Sequence, residues 1–80
     1  MKNLVVFKAS WCQPCKGLSM VLNNTDLGIP VSTIDIDEDT EAVREYSITG
    51  VPTLLLIEDN QVIRRKSGAM TSQQLKDFVA

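Results

Sequence analysis

An unbroken apolar run, Leu4 to Phe7, leads almost directly into two cysteines with a proline between them, Cys12-Gln13-Pro14-Cys15. A run without polar alternation reads as a strand covered on both faces, here Asn3 to Phe7. Proline is tolerated in the first turn of a helix, where its missing N–H would have no partner anyway. Ser10 to Cys12 therefore opens a helix, and both cysteines fall in its first turn at the end of an interior strand. Cys15, Leu18, Val21 and Leu22 recur at helical spacing and form one apolar face, and Asn23-Asn24 ends the helix. A chain of 80 residues holds one core, so residues 1–80 are expected to be a single domain. At this size only about 60% of the unfolded surface is buried, and the stability margin is thin.

The remaining elements follow from alternation and punctuation. Val31 to Ile36 sets Ile34 and Ile36 against Thr33 and Asp35, which predicts a half-exposed strand. Asp37 to Thr40 is a polar helix start, with Asp39 or Thr40 as its cap, and Ala42, Val43 and Tyr46 give that helix its buried side. Ile48 to Pro52 turns around Gly50. Thr53 to Ile57 is apolar on both faces and predicts a third strand. Asp59-Asn60 suits a two-residue hairpin turn because both residues tolerate positive φ. Gln61 to Lys66 is the fourth strand, and its Arg64, Arg65 and Lys66 read as a solvated edge that resists further pairing. Gly68 breaks the chain, and Thr71 or Ser72 caps a last helix that turns Leu75, Phe78 and Val79 inward. The order is βαβαββα. The first two strands should be parallel with a right-handed crossover, and the last two an antiparallel hairpin.

Composition excludes several functions. Net charge is −2, with no basic stripe to neutralise a phosphate backbone, so no nucleic-acid binding is expected. No membrane span is present, and the apolar start is shorter than the roughly 7–15 residues of a signal peptide, which makes the cytoplasm the default compartment. Asn23-Asn24-Thr25 then reads as a chance glycosylation sequon. Histidine is absent, which removes imidazole bases and most transition-metal sites. Asp35, Asp37 and Asp39 start like a calcium loop, but Thr40 and Tyr46 stand where that loop needs glycine and glutamate. No metal is expected.

The chemistry lies in the cysteines. Cys12, at the helix start, faces unpaired backbone N–H groups and the positive end of the dipole, both of which stabilise a thiolate. Lys8 and Lys16 can add positive charge. Cys15 lies one turn inward, toward the sheet. Cys12 should therefore attack a substrate disulfide and Cys15 resolve the mixed disulfide. Inert thiols, or a metal site shared between two copies, are the competing readings. A purely structural disulfide across so short a loop contributes only about 2 kcal/mol in the chain-entropy model.

At these residues the sequence resembles the thioredoxin superfamily. Trp11-Cys12-Gln13-Pro14-Cys15-Lys16 is similar to thioredoxin's Trp-Cys-Gly-Pro-Cys-Lys, with Gln13 in place of glycine. Gly50-Val51-Pro52-Thr53 matches the segment whose proline is cis and lies against the cysteines, and Ser67-Gly68-Ala69 resembles the Val-Gly-Ala beside the same groove. The match covers nearly the whole chain but lacks the usual N-terminal strand and helix, so the length is that of a glutaredoxin or a short thioredoxin.

The resemblance implies an α/β thioredoxin fold: a four-stranded mixed sheet in order 2-1-3-4, helices on both faces, strands 1 and 2 parallel, and strands 3 and 4 running against them. It implies a protein-disulfide reductase with a redox-active Cys12-Cys15 disulfide and no bound cofactor. Trp11, Gln13, Pro14, Lys16, Val51, Pro52, Gly68 and Ala69 would form the substrate groove, with Met70 at its side or in the core. The Val51 backbone would pair with an extended substrate strand. A thioredoxin reductase-type donor would supply electrons to a monomer, and target disulfides such as those of ribonucleotide reductase would receive them. Two positions depart from the family pattern. Val6 stands where thioredoxins bury an aspartate beneath the resolving cysteine, and Thr33 where they place a lysine. A glutaredoxin-like protein reduced by glutathione, and a partner-binding subunit that makes no use of its thiols, are the alternatives.

Overall fold

Strand β1, Lys2–Lys8, runs through the middle of the sheet. Its Leu4, Val5, Val6 and Phe7 are all buried, as an apolar run without alternation requires. The structure, a computed structural model, describes residues 1–80. β1 is followed by α1 (Gln13–Asn23), β2 (Val31–Asp35), α2 (Thr40–Glu45), β3 (Thr53–Glu58), β4 (Gln61–Ser67) and α3 (Ser72–Val79). The four strands lie in the order β2-β1-β3-β4.

β1 pairs parallel with β2 and antiparallel with β3, so Val6 lies opposite Thr33 on one side and Leu54 on the other. β4 pairs antiparallel with β3. It therefore runs in the same direction as β1 and β2, which corrects the expectation that both β3 and β4 oppose the first pair; a hairpin reverses direction once more. The hairpin turns at Asp59 and Asn60, whose φ values of 53° and 68° give the paired left-handed geometry that matches the twist of its strands. Beyond it the register slips: Leu56 faces Arg64 while Ile57 faces Val62, so Ile63 has no partner on β3.

Alternation along β1 and β3 divides the core. Leu4, Val6, Leu54 and Leu56 meet Leu18 of α1 and Leu75 and Val79 of α3, with Met70 among them. Val5, Phe7 and Leu55 point the other way, where Ile48 and the half-buried Ile34, Val43 and Tyr46 cover them. Tyr46 meets Phe7 edge to face at 6.0 Å between ring centroids. Helices thus cover both faces, but α2 is short and none of its residues is fully buried.

Side chains satisfy the helix ends. Thr71 caps α3 in a reciprocal capping box with Gln74, and the Asp39 carboxylate accepts the Ala42 N–H at 3.0 Å to start α2. At the end of α2 the Ile48 N–H reaches back to the Val43 carbonyl at 2.9 Å, and the Ser47 N–H to the Arg44 carbonyl at 3.3 Å. This closure puts Ser47 at φ 53°, a position glycine usually holds. The basic run of β4 is more than the solvated edge expected of it. Arg65 donates to the carbonyls of Tyr46 and Ser47, and Arg64 donates to those of Phe78 and Ala80 at 2.7 Å each. Neighbouring residues on a strand point to opposite faces, so the two guanidinium groups close the C-terminal ends of α2 and α3 on either side of the sheet. Ser47→Gly, which removes a side chain from a left-handed backbone, should raise unfolding stability by about 0.5–1 kcal/mol in urea titration; a loss of stability would show that the hydroxyl does something the backbone geometry does not require.

Candidate functional site

The register of the sheet assembles the site. Phe7 lies opposite Thr53, and Thr53 opposite Ser67. The C-terminal end of β1, the N-terminal end of β3 and the C-terminal end of β4 therefore share one edge of the sheet. The segments leaving those ends are 8–16, 50–52 and 68–70.

From β1 the chain turns at Ala9, whose carbonyl accepts the Cys12 N–H at 3.1 Å. Cys12 is itself the N-cap of α1, in extended conformation, and its Sγ accepts the Cys15 N–H at 3.2 Å. A sulfur in this place takes the role of the serine or aspartate oxygen that usually caps a helix. Pro14 sits in the first turn and removes one N–H that the helix would leave unpaired. Cys12 and Cys15 are joined as a disulfide with Cα atoms 5.3 Å apart. Only 5% and 3% of their surfaces are exposed, and they pack with Ala9 against Ile36 and Val51.

The opposite wall is the Gly50–Pro52 turn. The Val51-Pro52 peptide bond is cis, and the Val51 carbonyl oxygen lies 3.7 Å from Cys12 Sγ. Pro52 is buried, and its carbonyl accepts the Gly68 N–H at 2.9 Å. Gly68 adopts φ 98°, a conformation that favours glycine. Val51 is half-buried and packs against the disulfide; Gly68, tied to the Pro52 carbonyl, is half-buried and Ala69 is exposed. Gln13, Pro14 and Lys16 are exposed on the first turn of α1, and Lys16 forms no ion pair. Met70 departs from the groove: it is 4% exposed and belongs to the core with Leu18 and Leu75. Val6 is buried in that same core, while Thr33 is exposed on the β2 edge.

Trp11 is 66% exposed, and its indole Nε1–H donates to the Asp37 carboxylate at 3.0 Å. Sequence reasoning did not attach Asp37 to the site. The parallel register offered a signal, because it sets Lys8 opposite Asp35 and so brings the residues after each strand together. The carboxylates of the Asp-x-Asp-x-Asp run serve the backbone and the site separately: Asp35 accepts the Asp37 N–H at 2.9 Å, Asp37 holds Trp11, and Asp39 caps α2.

The thioredoxin family model matches residues 1–80. The chain belongs to the thioredoxin family. It is 39% identical to a thioredoxin of Buchnera aphidicola subsp. Baizongia pistaciae over 80 residues, 95% of this chain and 73% of that protein. Its fold superposes on a mutant thioredoxin from Halobacterium salinarum with TM-score 0.88 at 34% identity, over 98% of this chain and 71% of that one. It also superposes on Fasciola hepatica thioredoxin with TM-score 0.86 at 29% identity, over 98% and 77%. With the Cys12–Cys15 disulfide in place, this family member is a thiol–disulfide oxidoreductase that reduces disulfides by dithiol exchange. No helix is long and apolar enough to cross a membrane.

Proposed function

We propose that Cys12 is the attacking cysteine and Cys15 the resolving one, in a cytoplasmic monomer of one domain that reduces protein disulfides. The observation that carries the assignment is the N-cap: Cys12 Sγ lies 3.2 Å from the Cys15 N–H at the positive end of α1, whereas Cys15 is one turn further in. A Cys12 thiolate keeps that hydrogen bond and gains from the helix dipole.

The thiolate attacks one sulfur of the target disulfide and expels the other as a target thiolate. Cys15 then gives up its proton and attacks Cys12 Sγ. This forms the Cys12–Cys15 disulfide and expels the second target thiolate. Two electrons pass to the target, which takes up two protons in all. A thioredoxin reductase-type donor returns the pair to the dithiol. Family membership supports such a donor and disulfide-bearing targets, with ribonucleotide reductase as one example. Trp11, Gln13, Pro14, Lys16, Val51, Pro52, Gly68 and Ala69 are the surface that receives the target, with the Val51 backbone pairing to an extended segment beside its disulfide.

Cys15 lies in an apolar cluster with Ala9, Cys12, Ile36 and Val51, and the fold buries no carboxylate. At Val6, where the family pattern has a buried acid, the core is also apolar; Leu18, one turn on from Cys15, shares that cluster. The Cys15 proton must therefore leave to water or to the departing thiolate. With a disulfide-linked target, Cys15→Ser should accumulate the mixed disulfide at Cys12, read as a mass increase that dithiothreitol removes, and Cys12→Ser should accumulate none; a stable adduct at Cys15 instead would reverse the roles. In protein shown to be folded by circular dichroism, Val6→Asp should speed release of that mixed disulfide near neutral pH by placing a proton acceptor under the resolving cysteine. An unchanged release rate across roughly pH 6–9 would remove the missing acid as an influence on the step.

A further inference from the structure

Thr53 carries the only buried polar side chain of the fold, 1% exposed at the first position of β3. Its Oγ1–H donates to the Gly50 carbonyl at 2.7 Å, back across the turn that faces the disulfide. That carbonyl belongs to the same peptide unit as the Val51 N–H. A trans peptide is planar, with its C=O and N–H pointing in opposite directions, so fixing one fixes the other. The hydroxyl that draws the Gly50 carbonyl toward Thr53 therefore aims the Val51 N–H away from it.

The turn needs such a restraint. Gly50 has no side chain, and a Cβ built there meets nothing within 4 Å, so packing holds the Gly50–Val51 peptide only through Val51, and its Gly50 side rests on the Thr53 hydrogen bond. The next carbonyl but one, that of Pro52, is held by the Gly68 N–H at 2.9 Å. Between these two anchors the Val51 N–H and C=O bond to no other backbone group, and the carbonyl faces Cys12 Sγ. One donor and one acceptor are thus left free, at fixed orientation, beside the reacting sulfur.

We propose that Thr53 is a positioning residue for substrate: its buried hydroxyl locks the Gly50–Val51 peptide so that the Val51 backbone is preset to pair with an extended chain carrying the target disulfide. The proposal rests on the reading that Val51 pairs with the target. Preset orientation spares the complex the ordering that a mobile peptide would undergo on binding. A compact disulfide without a peptide backbone gains nothing from it, so Thr53 sets a preference for polypeptide disulfides over small ones.

The experiment measures kcat/KM for a disulfide-linked extended peptide and for 2-hydroxyethyl disulfide, and compares their ratio among variants. Thr53→Val keeps the volume and removes the hydroxyl; the ratio should fall about three- to tenfold, the effect of one modest hydrogen bond. Thr53→Ser keeps the hydroxyl and should retain the parental ratio, and Thr53→Ala should fall with Val, which guards against poor packing of either replacement. A purely structural role would lower both rates together; an unchanged ratio in Thr53→Val and Thr53→Ala overturns the proposal while leaving Val51 pairing intact. A parental protein that shows no preference for the peptide over the small disulfide overturns the pairing itself and the role of Thr53 with it.

Discussion

Antiparallel pairing of β1 with β3, in the register that sets Phe7 opposite Thr53, is the constraint on which the reactive end depends. β1 delivers the cysteine-bearing turn at its C-terminal end, and β3 begins directly after the Gly50–Pro52 turn. Shifting the pairing by one residue would turn Val5 and Phe7 from the α2 side to the α1 side and carry the cysteines away from Val51. The register is strongly specified because both faces of β1 and β3 are buried, with Leu4, Phe7, Leu54, Leu55 and Leu56 fully enclosed. Core packing and active-site geometry are therefore one requirement. Pairing of Thr53 with Ser67 extends it to β4 and brings in Gly68.

The surroundings of the two sulfurs differ in kind. Cys12 meets a backbone donor, the Cys15 N–H, and a backbone acceptor, the Val51 carbonyl, at the mouth of the site. Cys15 Sγ, in the same apolar cluster with Ala9, Ile36 and Val51, meets no such backbone partner. The first environment suits a sulfur that must exist as a thiolate and meet a partner. The second suits one that acts only when the first is occupied, over a distance set by a single helical turn. Trp11, held by Asp37, and Gln13, Pro14 and Lys16 of the first turn of α1 are exposed beside the cysteines in the chain.

Much of this was legible in the sequence. The unbroken run of β1, the Pro14-marked helix start, the Asp59-Asn60 turn and the Thr71 cap each depend on local chemistry, and each lies where that chemistry puts it. What was not legible depends on strand direction or on partners distant in the chain. The direction of β4 follows from counting reversals, which local patterns do not enforce. Arg64 and Arg65 read as surface charges until the faces of β4 are known to look onto two helix ends. Met70 fitted the groove and the core equally well as an apolar residue next to Ala69, and the packing of α1 with α3 decided for the core. Asp37 and Thr53 act through single hydrogen bonds whose partners, Trp11 and Gly50, become visible only in three dimensions.

Redox titration of the Cys12–Cys15 pair tests the central claim most directly. Trp11 is the only tryptophan and adjoins Cys12, so its fluorescence can report the state of the disulfide. The expected result is one reversible two-electron transition in dithiothreitol buffers, with the pair remaining oxidised at all practical glutathione ratios, as a dithiol served by a dedicated reductase should. Ready equilibration with glutathione would contradict a thioredoxin-type reductase cycle, and fluorescence and thiol counts that respond to neither reagent would contradict redox function at these cysteines altogether.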